Sequence, residues 1–347
     1  MTLPRLLIVG TSDEYGLEHS YVRAFRRLGA SVAYMADDFY AQRFRSKLFY
    51  NRYSIKVVKY PLSYIFHARL LRALRVVRPE LLFGVKGLFL HPMTLKRIRK
   101  IHPTIRLFCY YTDDPFSRVS GASNAFVRAA MPFYDAVFIW GRRFVPLLTA
   151  AGARRAEYLP VGYDDAIHRP PSAVRPELVH DVTFVGHWDA ERERWLTPLV
   201  DFDLALWGNE RWATRPKDAR LRRCYQGRQV RGPEMSDVLF SARVSLNILR
   251  LQNKGSHTMR TFETPASRAF MLAERSEEQL EFFEEDREAV YYSSPAELRE
   301  KLAFYIKHDE ERRRIAAAGY ERCVRSGYSY IDRAAWILDR YTVERAA

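Results

Sequence analysis

The sequence predicts an α/β protein made of two doubly wound, parallel-sheet domains in tandem. At 347 residues the chain is longer than one core usually holds. Short apolar runs alternate with helical patterns in both halves. Between the two series, "YLPVGYDDAIHRPPSAVRPELVHD" is rich in proline and has neither pattern. We therefore place the first domain at residues 1–158, a linker at residues 159–181 and the second domain at residues 182–347.

The first half alternates five predicted strands with helices. The strands are "LLIVG", "SVAYM", "LLFGV", "IRLFCYY" and "AVFIW". Helical patterns run through "YVRAFRRLG", residues 69–77, residues 93–100, the region of Phe126 and residues 143–150. Strands that are apolar throughout and separated by helices belong to a parallel sheet covered on both faces. This half should be a Rossmann-like domain.

The second half repeats the alternation and then becomes helical. Its predicted strands are "DVTFVG", "DLALWG", "VSLNI", "AFMLAE" and "VYY". Helices are expected through Trp195, over residues 234–241 and within "SHTMRTFETPASRAFMLAE". Three further helical patterns cover residues 296–307, 310–324 and 330–341. We expect a second Rossmann-like domain closed by helices, the last of which can pack back on the first domain.

Positive charge is concentrated in the first half. The chain has a net charge of +15, and residues 1–175 alone carry +16. Residues 39–78 mix lysine and arginine with tyrosine and phenylalanine. Such segments lie at anionic membrane surfaces or bind nucleic acid. A solvated basic face around an ordinary crossover is the alternative.

The sequence contains no membrane span, disulfide framework or zinc-binding pattern. No stretch approaches the roughly 18 apolar residues of a spanning helix, and the first apolar run is too short for a secretory signal. Cys109, Cys224 and Cys323 are odd in number, widely separated and without CxxC spacing. We expect a cytoplasmic protein with reduced cysteines that can dock peripherally on the inner face of the membrane.

Two strand ends of the first domain carry candidate catalytic side chains. Asp13, Glu14 and His19 follow the first strand, and Asp113 and Asp114 follow "IRLFCYY". Open α/β sheets bind ligands at this edge. The first turn lacks GxGxxG spacing, so an ordinary turn is favoured over a dinucleotide site. Paired aspartates before proline form a capped turn more often than a metal site, and contact with an acceptor is the favoured functional use.

The turn after "DVTFVG" is a candidate anion site in the second domain. Gly186 ends a buried strand and precedes a helix. Free N–H groups at a helix N-terminus attract phosphate. Every α/β protein has such turns, so an ordinary connection is equally compatible with the pattern.

The segment "NILRLQNKGSHTMRTFE" carries a more specific signal. Ser256 or Thr258 can cap the helix, and the i, i+3 spacing places Arg260 and Glu263 on one helical face. A surface salt bridge is the simple explanation of that pair. However, a series of polar residues precedes it, namely Asn247, Arg250, Asn253, Lys254 and His257. Donors gathered between a strand end and a helix favour an anion pocket.

Taken in order, these motifs resemble GT-B glycosyltransferases, in particular the spore-maturation (CgeB-like) group. "LPVGYDDAIHRP" resembles their interdomain linker, "VTFVGHWDAERERWL" the first strand and phosphate-side loop of the donor domain, and "VRGPEMSDVLFSARVSLNI" the segment that passes the nucleobase. "RTFETPASRAFMLAE" resembles the helix and strand with the ribose-binding glutamate. "YYTDDP" is similar to a DDP motif of the CgeB-like group. The resemblance implies two domains facing a cleft.

The resemblance also implies roles for individual residues. Glu263 would accept hydrogen bonds from the ribose of a nucleotide-sugar, and Arg260 with Lys254 would face its diphosphate. The other residues expected to contact the donor are Gly186, His187, Arg192, Val230, Asn247, Arg250 and His257. Fixed cations stabilise the departing diphosphate, so we expect neither a metal nor another cofactor. A base from the first domain would activate the hydroxyl of a glycan, lipid-linked or protein acceptor.

The sequence departs from this pattern at three positions. Many retaining relatives have a second glutamate where this chain has Gly255, which leaves the stereochemistry open. Pro265 within the helix and Arg268, where relatives often have glycine, would bend or crowd the back of the pocket. Two rival functions stay open: a nucleic-acid-binding protein that uses the basic half, and a GT-B-like protein that binds nucleotides without catalysis. No nucleic-acid motif is present, so nucleic acid is not the expected partner.

Overall fold

The computed structural model describes residues 3–38, 52–117 and 123–346 and divides the chain into two units. The first unit is Met1–Pro160 together with Ile331–Ala347, and the second is Val161–Tyr330. The stretch predicted as a linker therefore lies, from Val161 onward, in the second unit. The last helix is counted with the first unit.

The first unit has a six-stranded parallel sheet. Its strands are β1 (Leu6–Gly10), β2 (Val32–Ala36), β3 (Leu81–Val85), β4 (Arg106–Tyr111), β5 (Ala136–Ile139) and β6 (Ala156–Tyr158). The sheet order is β2-β1-β3-β4-β5-β6. Its helices are α1 (Leu17–Arg27), α2 (Arg52–Val77), α3 (Pro92–Ile101), α4 (Ala125–Ala130) and α5 (Val145–Ala150).

The second unit has a five-stranded parallel sheet. Its strands are β7 (Val182–Val185), β8 (Leu204–Trp207), β9 (Val244–Asn247), β10 (Met271–Glu274) and β11 (Val290–Tyr292). The order is β11-β10-β9-β7-β8, the same winding as the first five strands of the other sheet read in the opposite direction. Its helices are α6 (Ala190–Leu196), α7 (Arg211–Thr214), α8 (Ala219–Arg223), α9 (Gly232–Ser241), α10 (Arg260–Ala266), α11 (Glu277–Phe282), α12 (Pro295–Lys307) and α13 (Asp309–Arg325).

The chain ends in α14 (Tyr330–Ala346), which contributes to the first unit. The Trp336 ring lies 5.5 Å from the ring of Phe138 on β5. Arg340 Nε donates to Glu157 on β6 over 2.9 Å. Ala334 and Ile337 are fully buried. The carboxyl-terminal residues thus complete the far edge of the amino-terminal sheet.

The chain enters and leaves the second unit at neighbouring points. The N–H group of Tyr163 donates to the carbonyl of Tyr328 over 3.2 Å, and the N–H group of Tyr330 donates to the carbonyl of Tyr163 over 2.8 Å. A Cβ atom added to Gly162 would lie 2.5 Å from the Tyr328 carbonyl oxygen. Glycine is therefore required where the two segments run side by side.

The predicted strands are confirmed to within about two residues at their ends, and all but the half-buried β2 are runs that the structure buries. The pattern missed β6, which is short and only half-buried, and the short helices α7, α8 and α11. The predicted cap of α10 is wrong: its N-cap is Met259, which has no capping side chain. All three cysteines are free, as expected.

The basic segment predicted at residues 39–78 is described in part. Residues 39–51 lie outside the described residues, and α2 begins at Arg52. Along the end of α2, Phe66, Leu70 and Leu74 are buried. Within the described residues, no helix is both long and apolar enough to cross a membrane.

Candidate functional site

Each sheet has one point at which the strand order reverses. In the first unit it lies between β1 and β3, and in the second between β7 and β9. Loops diverge there beyond the carboxyl ends of the strands and leave a crevice in which α/β proteins bind ligands. The residues that follow β7 and β9 are those predicted to contact the donor.

The loop after β7 is held against β8 by its backbone. Gly186 donates its N–H to the carbonyl of Trp207 and accepts from Trp212 Nε1, both over 2.8 Å. A Cβ atom on Gly208 would lie 2.1 Å from the Gly186 carbonyl oxygen. Asp189 caps α6, because its Oδ1 accepts from the N–H of Arg192 over 3.0 Å. One of the free N–H groups of this helix terminus is therefore already bonded within the protein, and an anion site here stays a prediction.

Guanidinium groups gather at this loop instead. Arg192 is buried, and its Nη1 donates to the carbonyl of His187 over 2.9 Å. Burial and the nearby charge of Arg250 lower the pKa of Arg192 to about 10. Burial, and then Arg250, Arg192 and Arg231, lower the pKa of His187. The crevice is therefore electropositive, which disfavours protonation of the imidazole.

Two buried guanidinium N–H groups of this unit make no hydrogen bond. Arg192 Nε and Arg260 Nε have no hydrogen-bond partner within the described part of the chain, although Arg192 Nε lies 3.6 Å from Asp189 Oδ2 in an ion pair. A buried N–H without a partner costs free energy unless a ligand or water accepts from it. Phosphate oxygens suit this geometry, because arginine forms charge-assisted bonds to them.

Glu263 lies between a cation and a histidine. Arg260 pairs with its Oε2 at the predicted i, i+3 spacing. His168 Nε2 lies 3.5 Å from its Oε1. Both His168 and Glu263 are buried, with side chains 8% and 7% exposed. A carboxylate held in this way can accept hydrogen bonds from a ligand hydroxyl through its remaining lone pairs.

Asn247 and His257, two predicted donor contacts, are fully buried and bonded within the protein. Asn247 Nδ2 donates to Thr261 Oγ1 and Gln279 Oε1, and its Oδ1 accepts from Thr258. His257 Nδ1 lies 2.6 Å from Glu278 Oε2, and its Nε2 accepts from a backbone N–H over 3.3 Å. These side chains hold the loop between β9 and α10 in place, so we expect them to act on a ligand only through that loop.

Three further residues predicted to contact the donor, Lys254, Val230 and Arg250, lie in different surroundings. Lys254 pairs with Glu274, and its Nζ lies 3.2 Å from Glu191, so its charge is shared with two carboxylates. Val230 is buried in an apolar cluster with Trp207. Arg250 is more exposed than these, and its Nε lies 3.7 Å from Asp189 Oδ2.

The three departures from the family pattern have local consequences. Gly255 has φ +79° and open space around a Cβ position. A glutamate there would strain the backbone rather than clash. Pro265 is accommodated because α10 ends one residue later. Arg268 adopts φ 58° with its side chain exposed, so it does not crowd a pocket as predicted. It occupies a left-handed position at which glycine is usual after a helix.

In the first unit the five predicted catalytic residues form two groups. Asp13, which is half-buried, and exposed Glu14 lie in the loop after β1, and the ring of His19 is 4.4 Å from that of Tyr34. Asp113 Oδ2 lies 3.1 Å from Lys86 Nζ. Asp114 Oδ1 accepts from the N–H of Phe116 over 2.8 Å, as in a capped turn. Strand β3 separates the strands that carry the two groups.

Three charged residues that were not predicted lie near these loops: Glu18 and Asp37 are buried, and Lys86 is half-buried. Burial raises the pKa of Glu18. Burial, together with the carboxylates of Glu18 and Asp38, raises the pKa of Asp37 to about 7. Burial opposes the charge of Lys86, but Asp113 and Glu18 outweigh that effect and raise its pKa. Such a cluster can hold or release a proton near neutral pH.

The criterion that selected Asp13 would have found some of these residues. Asp37 and Lys86 come directly after β2 and β3, as Asp13 comes after β1. His168 had no such signal, because it lies in the proline-rich stretch assigned as a linker. Within residues 3–38, 52–117 and 123–346, no three His, Cys, Asp or Glu side chains are grouped as a metal site requires. Independence from metal stays a prediction.

Comparison with known proteins gives one family match and many structural matches. The profile of the family described as "Glycosyl transferase-like" matches residues 191–339. No curated protein matches the sequence. Sucrose-phosphate synthase from Thermosynechococcus elongatus is 13% identical, with 99% of each chain covered and a TM-score of 0.67.

Two further structural matches cover nearly the whole of both chains. Anabaena HepE in complex with UDP-glucose is 12% identical, with 98% of this chain and 100% of that chain covered and a TM-score of 0.66. Phage T4 β-glucosyltransferase is 13% identical, with 99% and 100% covered and a TM-score of 0.61. These matches confirm the predicted fold class, two parallel-sheet α/β units of the GT-B type with a helical carboxyl-terminal part. The CgeB-like subgroup stays a prediction.

Proposed function

We propose that this chain is a glycosyltransferase that moves a hexose from a nucleotide-activated donor to a hydroxyl group of a glycan, lipid-linked or protein acceptor. The observation that carries the proposal is Glu263 held between Arg260 and His168, beside buried guanidinium Nε–H groups that make no hydrogen bond within the described residues. The family match over residues 191–339 includes this segment and supports the same function.

Within this proposal, Glu263 accepts hydrogen bonds from the ribose hydroxyls of the donor. Arg260 donates its Nε–H group, which makes no hydrogen bond within the described residues, to the diphosphate, and buried Arg192, whose Nε lies 3.6 Å from Asp189 Oδ2, adds its positive charge. Negative charge grows on the diphosphate as the glycosidic bond breaks, so fixed cations stabilise the transition state more than the ground state. Arg250 adds to this field, and no metal is needed for charge neutralisation. Lys254 would contribute only after it leaves its carboxylate partners.

We propose UDP-glucose, or another UDP-hexose, as the donor. HepE was solved with UDP-glucose, and a structure of the DNA-modifying β-glucosyltransferase was solved with the substrate uridine diphosphoglucose. At such low identity these neighbours supply a hypothesis to test and do not identify the ligand of this chain.

The test is thermal unfolding of the wild type, Glu263→Gln and Glu277→Gln with UDP, GDP, dTDP, CDP or ADP, each with and without Mg²⁺. A ligand at about 100 times its Kd adds roughly 2.7 kcal/mol of stability. We expect UDP to raise the Tm of the wild type and of Glu277→Gln, which changes an exposed carboxylate of the same unit. Glu263→Gln should show a much smaller shift. The donor-site assignment fails if no nucleotide gives a smaller Tm shift for Glu263→Gln than for the control Glu277→Gln.

For an inverting reaction, we propose that a group of the first unit accepts the proton of the acceptor hydroxyl. The predicted candidates are Asp13, Glu14, His19, Asp113 and Asp114, to which the raised pKa adds Asp37. Loss of a general base lowers the rate by about 10² to 10⁴. Alanine at one of these positions should reduce transfer by that factor while UDP binding is kept. If all six variants transfer normally, the base lies elsewhere.

We also propose that α2 docks the protein on an anionic membrane surface. Arg69, Arg72 and Arg75 are exposed along the end of this helix, and Tyr64 and Val76 are exposed near them. Each basic residue near an anionic surface adds about 1 kcal/mol of attraction.

Liposome co-sedimentation at low salt tests this docking. Binding to phosphatidylserine vesicles should fall when the three α2 arginines become glutamine. It should stay unchanged when three exposed arginines of the second unit, Arg211, Arg215 and Arg223, are replaced in the same way. Equal binding to neutral and anionic vesicles would contradict the proposal.

A further inference from the structure

The loop that leads into β7 is bonded to the donor side of the second unit. The N–H of Val161 donates to His257 Nε2 over 3.3 Å. The carbonyl of Ile167 accepts from Ser236 Oγ on α9 over 3.3 Å. His168 is next along the chain and is buried. Residues 161–168 are therefore a built part of the crevice wall.

Backbone contacts fix the proton on the His168 ring. Its Nδ1 accepts from the N–H of Asp164 over 3.1 Å. A nitrogen that accepts cannot carry the proton of the neutral ring, so that proton lies on Nε2. His168 Nε2 lies 3.5 Å from Glu263 Oε1. The contact with Asp164 therefore leaves the protonated nitrogen as the one next to the carboxylate.

The Glu263 carboxylate is confined from two sides. Arg260 pairs with Oε2, and His168 faces Oε1. Its backbone is also fixed, because the Glu263 carbonyl accepts from Ser267 Oγ over 2.8 Å. These contacts restrict rotation of the carboxylate. The oxygen lone pairs that remain for a ligand therefore keep fixed directions.

We propose that His168 is a positioning residue, whose Nε2–H group orients the Glu263 carboxylate for the ribose hydroxyls of the donor. This inference rests on the proposed function and adds a determinant of ribonucleotide selectivity to the same site. His168 itself does not touch the nucleotide. Preorganisation of a hydrogen-bonding group increases affinity because less order is lost on binding.

The test compares the Kd values of UDP and 2′-deoxy-UDP by calorimetry. A hydrogen bond to a charged group is worth about ten- to hundredfold in affinity, so the wild type should prefer UDP by that factor. His168→Phe keeps the ring shape but has no N–H, and the preference should fall to about threefold or less. His168→Gln, which restores an N–H donor, should recover much of it. The double variant with His168→Phe and Glu263→Gln should lose no more of the preference for UDP than Glu263→Gln loses alone.

A matched control removes another histidine–carboxylate pair of the same unit. His180 Nδ1 lies 3.0 Å from Asp203 Oδ1, and both residues precede β7 and β8, at the opposite end of these strands from the loop that follows β7. His180→Phe should keep the full preference for UDP. If His168→Phe lowers the Tm but keeps the ratio of the two Kd values, His168 is structural only and the proposal is wrong. If the wild type shows no preference for UDP over 2′-deoxy-UDP, the ribose role of Glu263 is wrong, and the role of His168 that depends on it is wrong too.

A second measurement needs no nucleotide. Ring ¹⁵N spectra of the free protein, with the signals of His168 assigned from their loss in His168→Phe, report which nitrogen carries the proton. We expect the Nε2–H tautomer and a shift of its proton resonance in Glu263→Gln. A Nδ1–H tautomer, or a proton resonance that does not shift in Glu263→Gln, would overturn the proposed contact.

Discussion

At the residue scale, Asp37 is a carboxylate that the fold places in surroundings that disfavour its ionised form. It is 4% exposed and lies at the end of β2. Burial, followed by the charges of Glu18 and Asp38, raises its pKa from 3.8 to about 7. The folded state therefore binds more protons than the unfolded state between these two values. It follows that the contribution of Asp37 to the unfolding free energy falls as pH rises through this range.

Asp37→Asn should therefore stabilise the protein above pH 7 and leave its stability unchanged below about pH 4. Each pKa unit corresponds to about 1.4 kcal/mol, so the gain at alkaline pH should reach a few kcal/mol. Urea unfolding across this pH range measures it, with Glu14→Gln as an exposed carboxylate of a neighbouring loop. A gain that is constant with pH would show that Asp37 is ionised throughout.

At the element scale, the end of α10 carries avoidable strain. Arg268 follows the helix with φ 58°, a region that costs an ordinary residue roughly 1 kcal/mol or more. Arg268→Gly should relieve that cost and raise the Tm by a few degrees at most. Arg215, also exposed and next to a helix end, has a right-handed backbone with φ −92°. Arg215→Gly should lower the Tm, and equal effects of the two changes would contradict the argument.

The sequence predicts elements better than it predicts caps. Strands such as Leu81–Val85 are evident because burial on both faces leaves a continuous apolar run. The cap of α10 was mispredicted because its hydroxyl candidates bond to distant elements. Ser256 donates to Glu278 on α11, and Thr258 donates to Asn247 on β9. Such choices depend on which elements become neighbours in the fold.

In the candidate site too, local pairs could be predicted from the sequence, and contacts between distant residues could not. Arg260 and Glu263 could be paired from their spacing, because helical geometry is local. His168 could not be joined to them, since 95 residues of sequence separate it from Glu263 and only the folded second unit brings them together. The burial of Asp37 and the pairing of Lys86 with Asp113 likewise depend on how the strands are ordered.

At the scale of the whole molecule, the last helix belongs to the first unit, although it lies at the opposite end of the chain. Removal of residues 331–347 would expose apolar surface, since Ile337, Leu338 and Tyr341 are buried. Each such side chain contributes about 1.5 to 3 kcal/mol when fully buried. The truncated protein should therefore lose stability in the first unit by several kcal/mol.

Hydrogen exchange measured by mass spectrometry locates this loss. Faster exchange is expected in β5 and β6, which α14 contacts through Trp336 and Arg340. The strands of the second unit should exchange as in the full chain, and UDP should still protect the segment around Glu263. A uniform increase in both units would mean that the two do not unfold separately.

The pairing of Tyr163 with Tyr328 and Tyr330 has a consequence for how this protein could have evolved and could be rebuilt. Because residues 161–330 begin and end side by side, they form a cassette inserted into the amino-terminal unit at one place. Recombination between relatives needs to match only those two adjacent crossings to exchange one second unit for another. A chimera joined at Pro160 and Ile331 would keep the first unit and its last helix intact.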